Sequence, residues 1–351
     1  MSTPKDAEHV RQMRPTAKDL AAEAGVSLAT IDRVLNGRPG VKPHTVTKVN
    51  EAIDRIGFVR NLSAVNLARK KNYQFHFLLP EHGDQFLEVM VKHIEEANIA
   101  FSAEMIDATV VRLPAEDPYR LAGYLGQLDA KLVHGIAIMA PESPQVRDAI
   151  NRLLERGIEV VQFLAGQPKA ASIDFVGINN HAAGATAAQL LGRFLCGRKG
   201  TIVVVSETMQ SRDSIERRLG FDDVINREYP ELETLPSLET HGDLQRTRRV
   251  FSNLFANHPD ISGLYILSAE ARIPVEEISR VATKPLTKIV HERTPFTEAA
   301  LQSRQIDAVI AQNPGHLVRS AIRILKARHD QREPVASQER IRIEILLKEN
   351  L

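Results

Sequence analysis

One short predicted helix near the N-terminus carries side chains that suit contact with DNA. Its apolar residues point inward at helical spacing, and its opposite face presents Leu28, Ala29, Asp32 and Arg33. The guanidinium of Arg33 can hydrogen-bond a phosphate or the edge of a guanine. Asp32 is an unfavourable neighbour for DNA unless its carboxylate serves to orient Arg33. The face therefore indicates a nucleic-acid contact.

Three helices are predicted to position this face. Thr16 can cap a first helix over 17–24, Ser27 can cap the second, and a third follows over 46–56. Gly25 suits the chain reversal between the first two helices. Helix, short turn, helix and bracing third helix is the spacing of a helix-turn-helix domain. Helical hairpins of this size also occur in domains that do not bind DNA, so spacing alone leaves both interpretations open.

The charge distribution separates a basic head from an acidic body. Residues 1–72 contain 13 Lys and Arg against 7 Asp and Glu, a net charge of +6. Since the whole chain of 351 residues carries +1, the remaining 279 residues carry −5. Such an asymmetry predicts that a polyanion binds to the head alone.

Length and composition restrict the class of protein. With 43% hydrophobic and 25% charged residues, the chain is predicted to fold, and its length indicates two or three domains. The single cysteine, Cys196, cannot form an internal disulfide, which fits a reducing compartment. The N-terminus lacks the apolar core of a signal peptide, and the sequence contains no apolar run of 18 residues. We therefore expect a cytoplasmic protein without a membrane partner.

From Tyr73 onward, β-rich runs alternate with amphipathic helices, and residues 340–345 alternate like a final strand. The strands are predicted at 75–80, 109–113, 135–140, 159–164, 201–206, 263–267, 288–291 and 306–312. The helices between them are predicted at 86–100, 118–128, 144–156, 181–196, 213–227, 244–257 and 314–328. This alternation predicts parallel sheets covered by helices, in two α/β lobes with a ligand cleft between them.

The segment from Pro15 to Ala68 resembles the DNA-binding head and hinge of the lactose-repressor (LacI-type) family of bacterial transcription regulators. The family signature AGVSxxTVxRVLN stands in this chain as AGVSLATIDRVLN at residues 24–36. The resemblance implies an all-α helix-turn-helix head on a two-lobed α/β sensor of the periplasmic-binding-protein type (type I), with parallel sheets. The implied segments are a disordered tail at 1–13, a helix-turn-helix domain at 14–60, a hinge helix or linker at 61–72, and a ligand-binding and dimerisation domain at 73–351.

The resemblance also implies roles for individual residues of the head. Leu28 and Ala29 occupy the positions that contact base edges, where small apolar side chains suit thymine methyl groups. Leu67 matches the hinge leucine that enters a central step of the operator minor groove, or else it only packs on the lobe beneath. Asp32 departs from the small hydroxyl residue usual in the family, which leaves base preference there open. Further DNA contacts are implied at Thr16, Ser27, Thr30, Arg33, Asn36 and Thr45.

The body resembles the family's sensor domain along its whole length. Residues 214–221, SIERRLGF, match an arginine-containing run and place Arg217 where relatives hold sugar hydroxyls. Gln312 ends a matching strand, and its amide suits a polyol. Phe86 matches an aromatic residue that stacks on a sugar ring, with a place in the lobe core as the alternative. The implied effector contacts are Phe86, Arg217, Glu270, His291, Glu292 and Gln312, with a structural role for His291 left open.

Two departures from the family pattern concern the effector. Sugar-binding relatives often carry Asp-Arg where this chain has Leu164-Ala165, and Asn-Asp where it has Ala269-Glu270. The cleft therefore keeps some polar anchors and lacks others. A monosaccharide, sugar alcohol or sugar acid fits best, and a ligand with fewer hydroxyls remains an alternative.

Motifs for catalysis are absent from the sequence. It contains no GxGxxG after the first strand, no Walker loop, no GxSxG and no HExxH, so we expect no enzyme activity, no metal and no cofactor. We predict a regulator of carbohydrate or polyol genes, by default a repressor, that binds a near-palindromic DNA operator as a homodimer, with a tetramer left open. The alternatives are a small-molecule binding protein with a vestigial head, and a sugar-modifying enzyme that uses Arg217 with Glu292.

Overall fold

The structure, a computed structural model, describes residues 15–35, 39–58, 72–81, 83–114, 117–141, 143–165, 173–195 and 197–351. The chain divides into two compact units, Met1–Lys71 and Asn72–Leu351. The predicted tail at 1–13, most of the predicted hinge, and Asn36, Leu67 and Cys196 lie outside the described residues.

The first unit contains three helices, α1 Ala17–Ala24, α2 Leu28–Leu35 and α3 Pro43–Ile56. Thr16 caps α1 and forms a capping box with Asp19, which confirms the predicted start. Gly25 ends α1 at φ 59°, a left-handed conformation that glycine adopts without strain. The third helix begins earlier than predicted because Pro43 stands in its first turn, where the missing N–H costs nothing.

A small apolar core holds these three helices together. It consists of five fully buried side chains contributed by all three helices, which are Leu20, Ala24, Ile31, Val49 and Ala52. Residues of α2 on the opposite face stay exposed, including Leu28 at 48%. The amphipathic spacing predicted from the sequence is therefore confirmed for the first unit.

The first lobe of the second unit is built on a parallel sheet of five strands in the order β2-β1-β3-β4-β5. The strands are β1 Tyr73–Pro80, β2 Ile106–Leu113, β3 Gly135–Ile138, β4 Glu159–Phe163 and β5 Asp174–Val176. Between them run α4 Gln85–Phe101, α5 Pro118–Gln127 and α6 Pro144–Glu155.

The second lobe is built on a seven-stranded sheet in the order β12-β11-β10-β9-β6-β7, with β8 also paired to β6. Its pairs are parallel except for β12, which runs antiparallel to β11. The strands are β6 Gly200–Ser206, β7 Leu232–Thr234, β8 Leu238–Glu239, β9 Ile261–Ile266, β10 Thr287–His291, β11 Ala308–Ala311 and β12 Glu344–Leu346. The helices are α7 Asn180–Phe194, α8 Arg212–Glu228, α9 Leu244–Asn257, α10 Arg272–Val281 and α11 Pro295–Gln302.

The chain passes between the lobes more than once. It enters the second lobe between β5 and α7, and it returns after β11 as helix α12, Pro314–His329, which packs on β3, β4 and α4 of the first lobe. A short helix α13, Ala336–Glu339, then leads back to β12 in the second lobe. The predicted two-lobed α/β architecture is confirmed. In open α/β folds of this kind, ligands bind outside the carboxyl ends of the parallel strands, which here is the edge between the lobes.

All eight predicted strands are present, with ends shifted by no more than a few residues, and the alternation at 340–345 corresponds to the short strand β12. Strands β5, β7 and β8 and helices α10 and α11 were not predicted. The missed strands have only two or three residues, too few to show a period of two. None of the helices in the described part of the chain has the length together with the apolar composition that a bilayer span requires.

Two glycines bring α7 and α8 into backbone contact. A Cβ atom at Gly184 would lie 1.8 Å from the carbonyl oxygen of Arg217, and one at Gly220 would lie 1.9 Å from that of His181. Neither contact can be relieved by a side-chain rotation, because the obstructing atoms belong to the backbone. The glycines therefore set the distance between the two helices and with it the position of Arg217.

Replacing Gly184 with alanine should destabilise the sensor unit by about 3 kcal/mol or more, because the added methyl forces α7 and α8 apart. The control is Gly123→Ala in α5, where a Cβ meets nothing within 4 Å and a gain of up to about 1 kcal/mol is expected. Urea unfolding of both variants measures the difference. Equal stability of the two variants would contradict the close packing of α7 on α8.

Candidate functional site

Polar side chains follow four neighbouring strands of the second sheet at the edge where the strands end. Glu207 follows β6, Glu270 lies a few residues after β9, Glu292 follows β10, and Gln312 follows β11. Because these strands are adjacent and parallel, their carboxyl ends share one edge of the sheet. Residues far apart in sequence are thereby collected at the interlobe cleft.

Arg217 on α8 is the cation at the centre of this edge. Its side chain is buried and donates from Nε to Asn180 Oδ1 at 2.9 Å, from Nη1 to the carbonyl of Leu267 at 2.7 Å, and from Nη2 to Glu292 Oε1 at 3.2 Å. These partners come from α7, the end of β9 and the end of β10. The guanidinium therefore fixes three elements of the lobe relative to one another.

Glu292 pairs with Arg217 through only one of its carboxylate oxygens. Oε1 also accepts from Gln312 Nε2 at 2.9 Å, whereas the buried Oε2 has no hydrogen-bond partner among the described residues. Burial raises the pKa of Glu292 to about 7, against the opposing charge of Arg217. Its backbone has φ 65°, a strained conformation for a residue other than glycine. Buried strain and an open oxygen are typical of a ligand site.

His291 lies under the pair and is fully buried. Its Nε2 is 2.8 Å from the hydroxyl of Tyr265, and burial, followed by the charge of Arg217, holds the pKa of His291 well below its usual range. The imidazole is therefore neutral at pH 7. Its Nδ1 has no partner within the described part of the chain. The buried ring and its hydrogen bond to Tyr265 support the structural role left open for His291, and its role as an effector contact stays a prediction.

Carboxylates that the sequence did not single out also belong to this region. Asp84 caps α4 in the first lobe by accepting from the amide of Leu87 at 3.0 Å. Burial and the charge of Glu270 raise the pKa of Asp84, against its backbone hydrogen bonds. Glu207 remains accessible to solvent, yet surrounding protein, then Asp84 and Glu270, raise its pKa. The lobes are in direct contact beside Asp84, where Gln85 Oε1 at the start of α4 accepts from the amide of Phe296 in α11 at 3.0 Å. Acids of both lobes therefore act on one another's pKa values at this edge.

The sequence around the site residues that were not predicted carries signals of local structure, but none that is specific to a ligand site. Asp84 stands before a predicted helix, Glu207 directly follows a predicted strand, and Asn180 opens α7. Caps and strand ends occur throughout such a fold, so the sequence alone does not mark these three as parts of one site.

Two predicted effector contacts occupy positions with structural roles. Phe86 is 6% exposed and lies in the apolar core of the first lobe, which corresponds to the alternative interpretation of this residue. Glu270 is half-buried, and its Oε1 accepts from the amide of Ile273 at 3.2 Å in the first turn of α10. The structure thus brings Arg217, Glu292 and Gln312 together, with Glu270 near them through its charge, and places Phe86 in a hydrophobic core.

In the head, α2 presents the predicted DNA-contacting residues. Leu28, Ala29 and Arg33 are exposed, and the Ser27 and Thr30 hydroxyls are 2.9 Å apart. Thr16, also exposed, is engaged as the cap of α1, and Thr45 is half-buried in the first turn of α3. The predicted contacts Asn36 and Leu67 lie outside the described residues, so their positions remain predictions.

The chain matches known families in both units. Residues 16–61 match the model of bacterial regulatory proteins of the lacI family, and residues 75–332 match the periplasmic binding protein domain. Catabolite control protein A of Priestia megaterium is 34% identical over 128 residues, which cover 36% of this chain and 37% of that protein, little more than a third of its length. The protein of the same name in Staphylococcus aureus (strain MRSA252) is 23% identical over 299 residues, covering 83% and 88%. GanP, a glucose-galactose binding protein from Geobacillus stearothermophilus, has a TM-score of 0.67 at 19% identity over 80% of this chain and 99% of that chain, which shows a shared fold.

The raised pKa of Glu292 predicts a pH dependence of stability. Between its ordinary value of 4.5 and about 7, the folded state holds a proton that the unfolded chain has released, so this group's contribution is full below 4.5 and is lost as the pH rises toward 7. Glu292→Gln should therefore reduce the decline in unfolding free energy over this interval. Part of the decline should persist in the variant, because the pKa values of Asp84 and Glu207 are also raised in the folded state. Urea unfolding at several pH values measures it, with Glu231→Gln at an exposed position before β7 as control. An unchanged slope in Glu292→Gln would contradict the burial of this carboxyl.

Proposed function

Because the chain belongs to the lactose-repressor family of bacterial regulatory proteins, with a lacI-type head and a periplasmic-binding-protein domain, we propose that it is a ligand-responsive transcriptional regulator. The observation that carries the proposal is the coexistence, in one chain, of an exposed helix-turn-helix face and a polar interlobe cleft. The head binds a near-palindromic DNA operator, and the cleft binds a small effector. Effector binding lowers the affinity for DNA, so the protein acts as a repressor of carbohydrate or polyol genes.

The electrostatics of the chain support this division of labour. The net charge of +6 is confined to residues 1–72, where counterion release from DNA favours binding. On α2, Leu28 and Ala29 contact base edges through apolar surfaces, and Arg33 hydrogen-bonds a base edge or a phosphate. The protein therefore works in the cytoplasm, where the chromosomal DNA is.

The effector is a small hydroxylated molecule held by Arg217, Glu292 and Gln312. Guanidinium, carboxylate and amide groups together supply the donors and acceptors that bind sugar hydroxyls. The structural neighbour GanP is named for binding glucose and galactose, which supports a carbohydrate-like class. Since Asp84 and Glu292 belong to different lobes, a ligand between them favours the closed arrangement of the lobes. Closure then changes the affinity for DNA at a distance, which is an allosteric coupling.

Two further parts of the proposal rest on the family resemblance. A homodimer places two heads on the two halves of the operator, and residues 61–72 form a hinge that orders on DNA with Leu67 in the minor groove. The sensor and dimerisation role belongs to residues 73–351. We propose no enzymatic activity for this regulator.

Selection from a random duplex library tests the proposal and identifies the operator in the same experiment. The purified full-length protein is mixed with the library at physiological salt, and bound duplexes are recovered and sequenced. An inverted repeat with two half-sites is expected, since paired heads contact paired sequences. Diffuse binding that disappears as salt is raised would instead support a binding protein with a vestigial head.

Arg33→Ala should weaken binding to the selected duplex by about tenfold, because one charged contact to a base edge or phosphate is lost. The matched control is Arg55→Ala on α3, whose guanidinium pairs with Glu23 and lies off the α2 face. Fluorescence anisotropy of a labelled duplex measures both. If Arg33→Ala binds as tightly as Arg55→Ala, the assignment of the α2 face is wrong.

Gln312→Leu should leave operator affinity unchanged and raise the effector concentration needed for release by about tenfold or more, because a buried amide that binds the ligand is lost. A panel of monosaccharides, sugar alcohols and their acid and amine derivatives is screened with the wild type for release of the duplex. Gln302→Leu, at an exposed position of α11, is the control. A variant that releases DNA at the wild-type concentration would place the effector elsewhere.

A further inference from the structure

Apart from Nδ1 of the neutral His291 ring, the buried polar atoms left open at the ends of β10 and β11 are oxygen atoms. Glu292 Oε2 and Gln312 Oε1 have no hydrogen-bond partner among the described residues, and the two residues are 1% and 3% exposed. The Gln312 amide is oriented by its donation to Glu292 Oε1, so its oxygen cannot exchange places with its nitrogen without breaking that bond. The ionised Glu292 carboxylate and the Gln312 amide oxygen can only accept hydrogen bonds, so a ligand that binds this form of the site must present donors to them.

The buried guanidinium does not offset this excess of acceptors. Three of the N–H groups of Arg217 already bind Asn180, Leu267 and Glu292, and its charge is compensated by Glu292 at 3.2 Å. Arg217 thus has at most two of its five N–H donors left for a ligand. Arg217 therefore works as an organiser of the site more than as an anion receptor.

Three further carboxylates belong to this edge of the sheet or to the lobe opposite it. Glu270 follows β9, the neighbour of β10, Glu207 follows β6 on the far side of β9, and Asp84 comes from the start of α4 in the first lobe. Burial is the main cause that raises the pKa of Asp84, and the charge of Glu270 comes next. The pKa of Glu207 is raised by burial and then by the charges of Asp84 and Glu270. The nearby His241 opposes these causes and lowers the pKa of Glu207. Among the residues that the structure describes, these acids are not arranged to hold a metal ion.

Each ligand class meets this environment differently. The hydroxyls of a sugar acid can donate to the open oxygens of Glu292 and Gln312, but its carboxylate adds a further negative charge to these acids. A neutral polyol would donate to these oxygens but leave the repulsion among Asp84, Glu207 and Glu270 unrelieved. A protonated amine on a hydroxylated skeleton donates to the open oxygens and also neutralises the acids.

We propose that the effector is a hydroxylated amine, an amino sugar or an amino polyol, whose ammonium group lies among Asp84, Glu207 and Glu270 while its hydroxyls bind Glu292 and Gln312. This inference rests on the proposed function, since it specifies the chemistry of the same effector cleft. It excludes a sugar acid, and it makes a neutral sugar a weaker ligand than its amine counterpart. The acids of the two lobes, brought together by closure, then stabilise the closed form only when the cation is present.

Ligands that share a hydroxylated skeleton and differ in one substituent and its charge test the proposal on the full-length protein without DNA. One set is 1-amino-1-deoxy-D-sorbitol, D-sorbitol and D-gluconate, and a second is D-glucosamine, D-glucose and D-glucuronate, with the galacto series as a third. Titration calorimetry up to about 10 mM ligand covers the affinity range of a metabolite sensor. The amine of at least one set should bind about tenfold or more tightly than its neutral and acidic counterparts. Tighter binding by a neutral or acidic member, or no binding by any amine, overturns the proposal.

Isosteric variants connect the preference for an amine to these acids. Asp84→Asn keeps an effective helix cap and Glu270→Gln keeps an oxygen for the amide of Ile273, so both preserve the fold while removing a charge. Each should weaken amine binding about fivefold to tenfold and leave binding of the neutral member within about twofold. Glu233→Gln is the control, because it lies in β7 opposite Thr201 at the other end of the sheet. Equal loss for charged and neutral ligands in the two cleft variants would show a purely structural role and contradict the proposal.

The dependence on salt provides an independent measurement. Raising NaCl from about 50 mM to about 500 mM should weaken amine binding by several-fold and leave a neutral polyol unaffected, because screening acts on charge pairs alone. An amine affinity independent of salt contradicts an ionic contact. If the amine proposal fails in these titrations, the operator selection still tests the proposed function, because that experiment contains no effector. If the operator selection fails, the titrations still measure the ligand preference of the sensor.

Discussion

The buried ion pair between Arg217 and Glu292 is the constraint on which the sensor unit depends. Two charges removed from water are stable only when further hydrogen bonds compensate for the lost solvation, and the chain supplies these from Asn180, the carbonyl of Leu267 and Gln312. The partners come from α7, β9, β10 and β11, so the pair ties the central strand ends of the second lobe to its two cleft-facing helices. Arg217 can reach them because glycines allow α7 and α8 to touch backbone to backbone.

The same ion pair lacks one hydrogen bond, and the missing partner connects the structure of the site with its proposed function. One oxygen of Glu292 has no partner within the described residues, its backbone has φ 65°, and burial holds its pKa near 7. In a site that served stability alone, a protein donor would bind this oxygen, because a buried oxygen without a hydrogen bond lowers the stability of the fold. Its position at the carboxyl edge of a parallel sheet, opposite Asp84 of the other lobe, is consistent with a group that a ligand completes.

In the proposed function, the two units of the chain use different physics for recognition. In the head, a core of five buried apolar side chains and the partly buried ones around them holds three helices, and the exposed face of α2 belongs to a unit of net positive charge. In the sensor, recognition depends on burial, where a low dielectric makes each charge and each missing hydrogen bond count. A single regulator can therefore combine salt-sensitive contact with a long polyanion and selective binding of one small molecule.

Sequence by itself determined the features that arise from neighbouring residues. The bounds of α1 and α2 follow from Thr16, Ser27 and Gly25, and all eight longer strands follow from local alternation, so the head, the two lobes and the cleft were predictable. Tertiary structure decided which distant residues meet. Asp84, Glu207, Glu270 and Glu292 span more than half of the chain and share a cleft only because β6, β9 and β10 are adjacent and α4 faces them. It also decided that Phe86 packs in a core and that Glu292 keeps an open oxygen, because burial and hydrogen-bond satisfaction depend on non-local packing that no local pattern encodes.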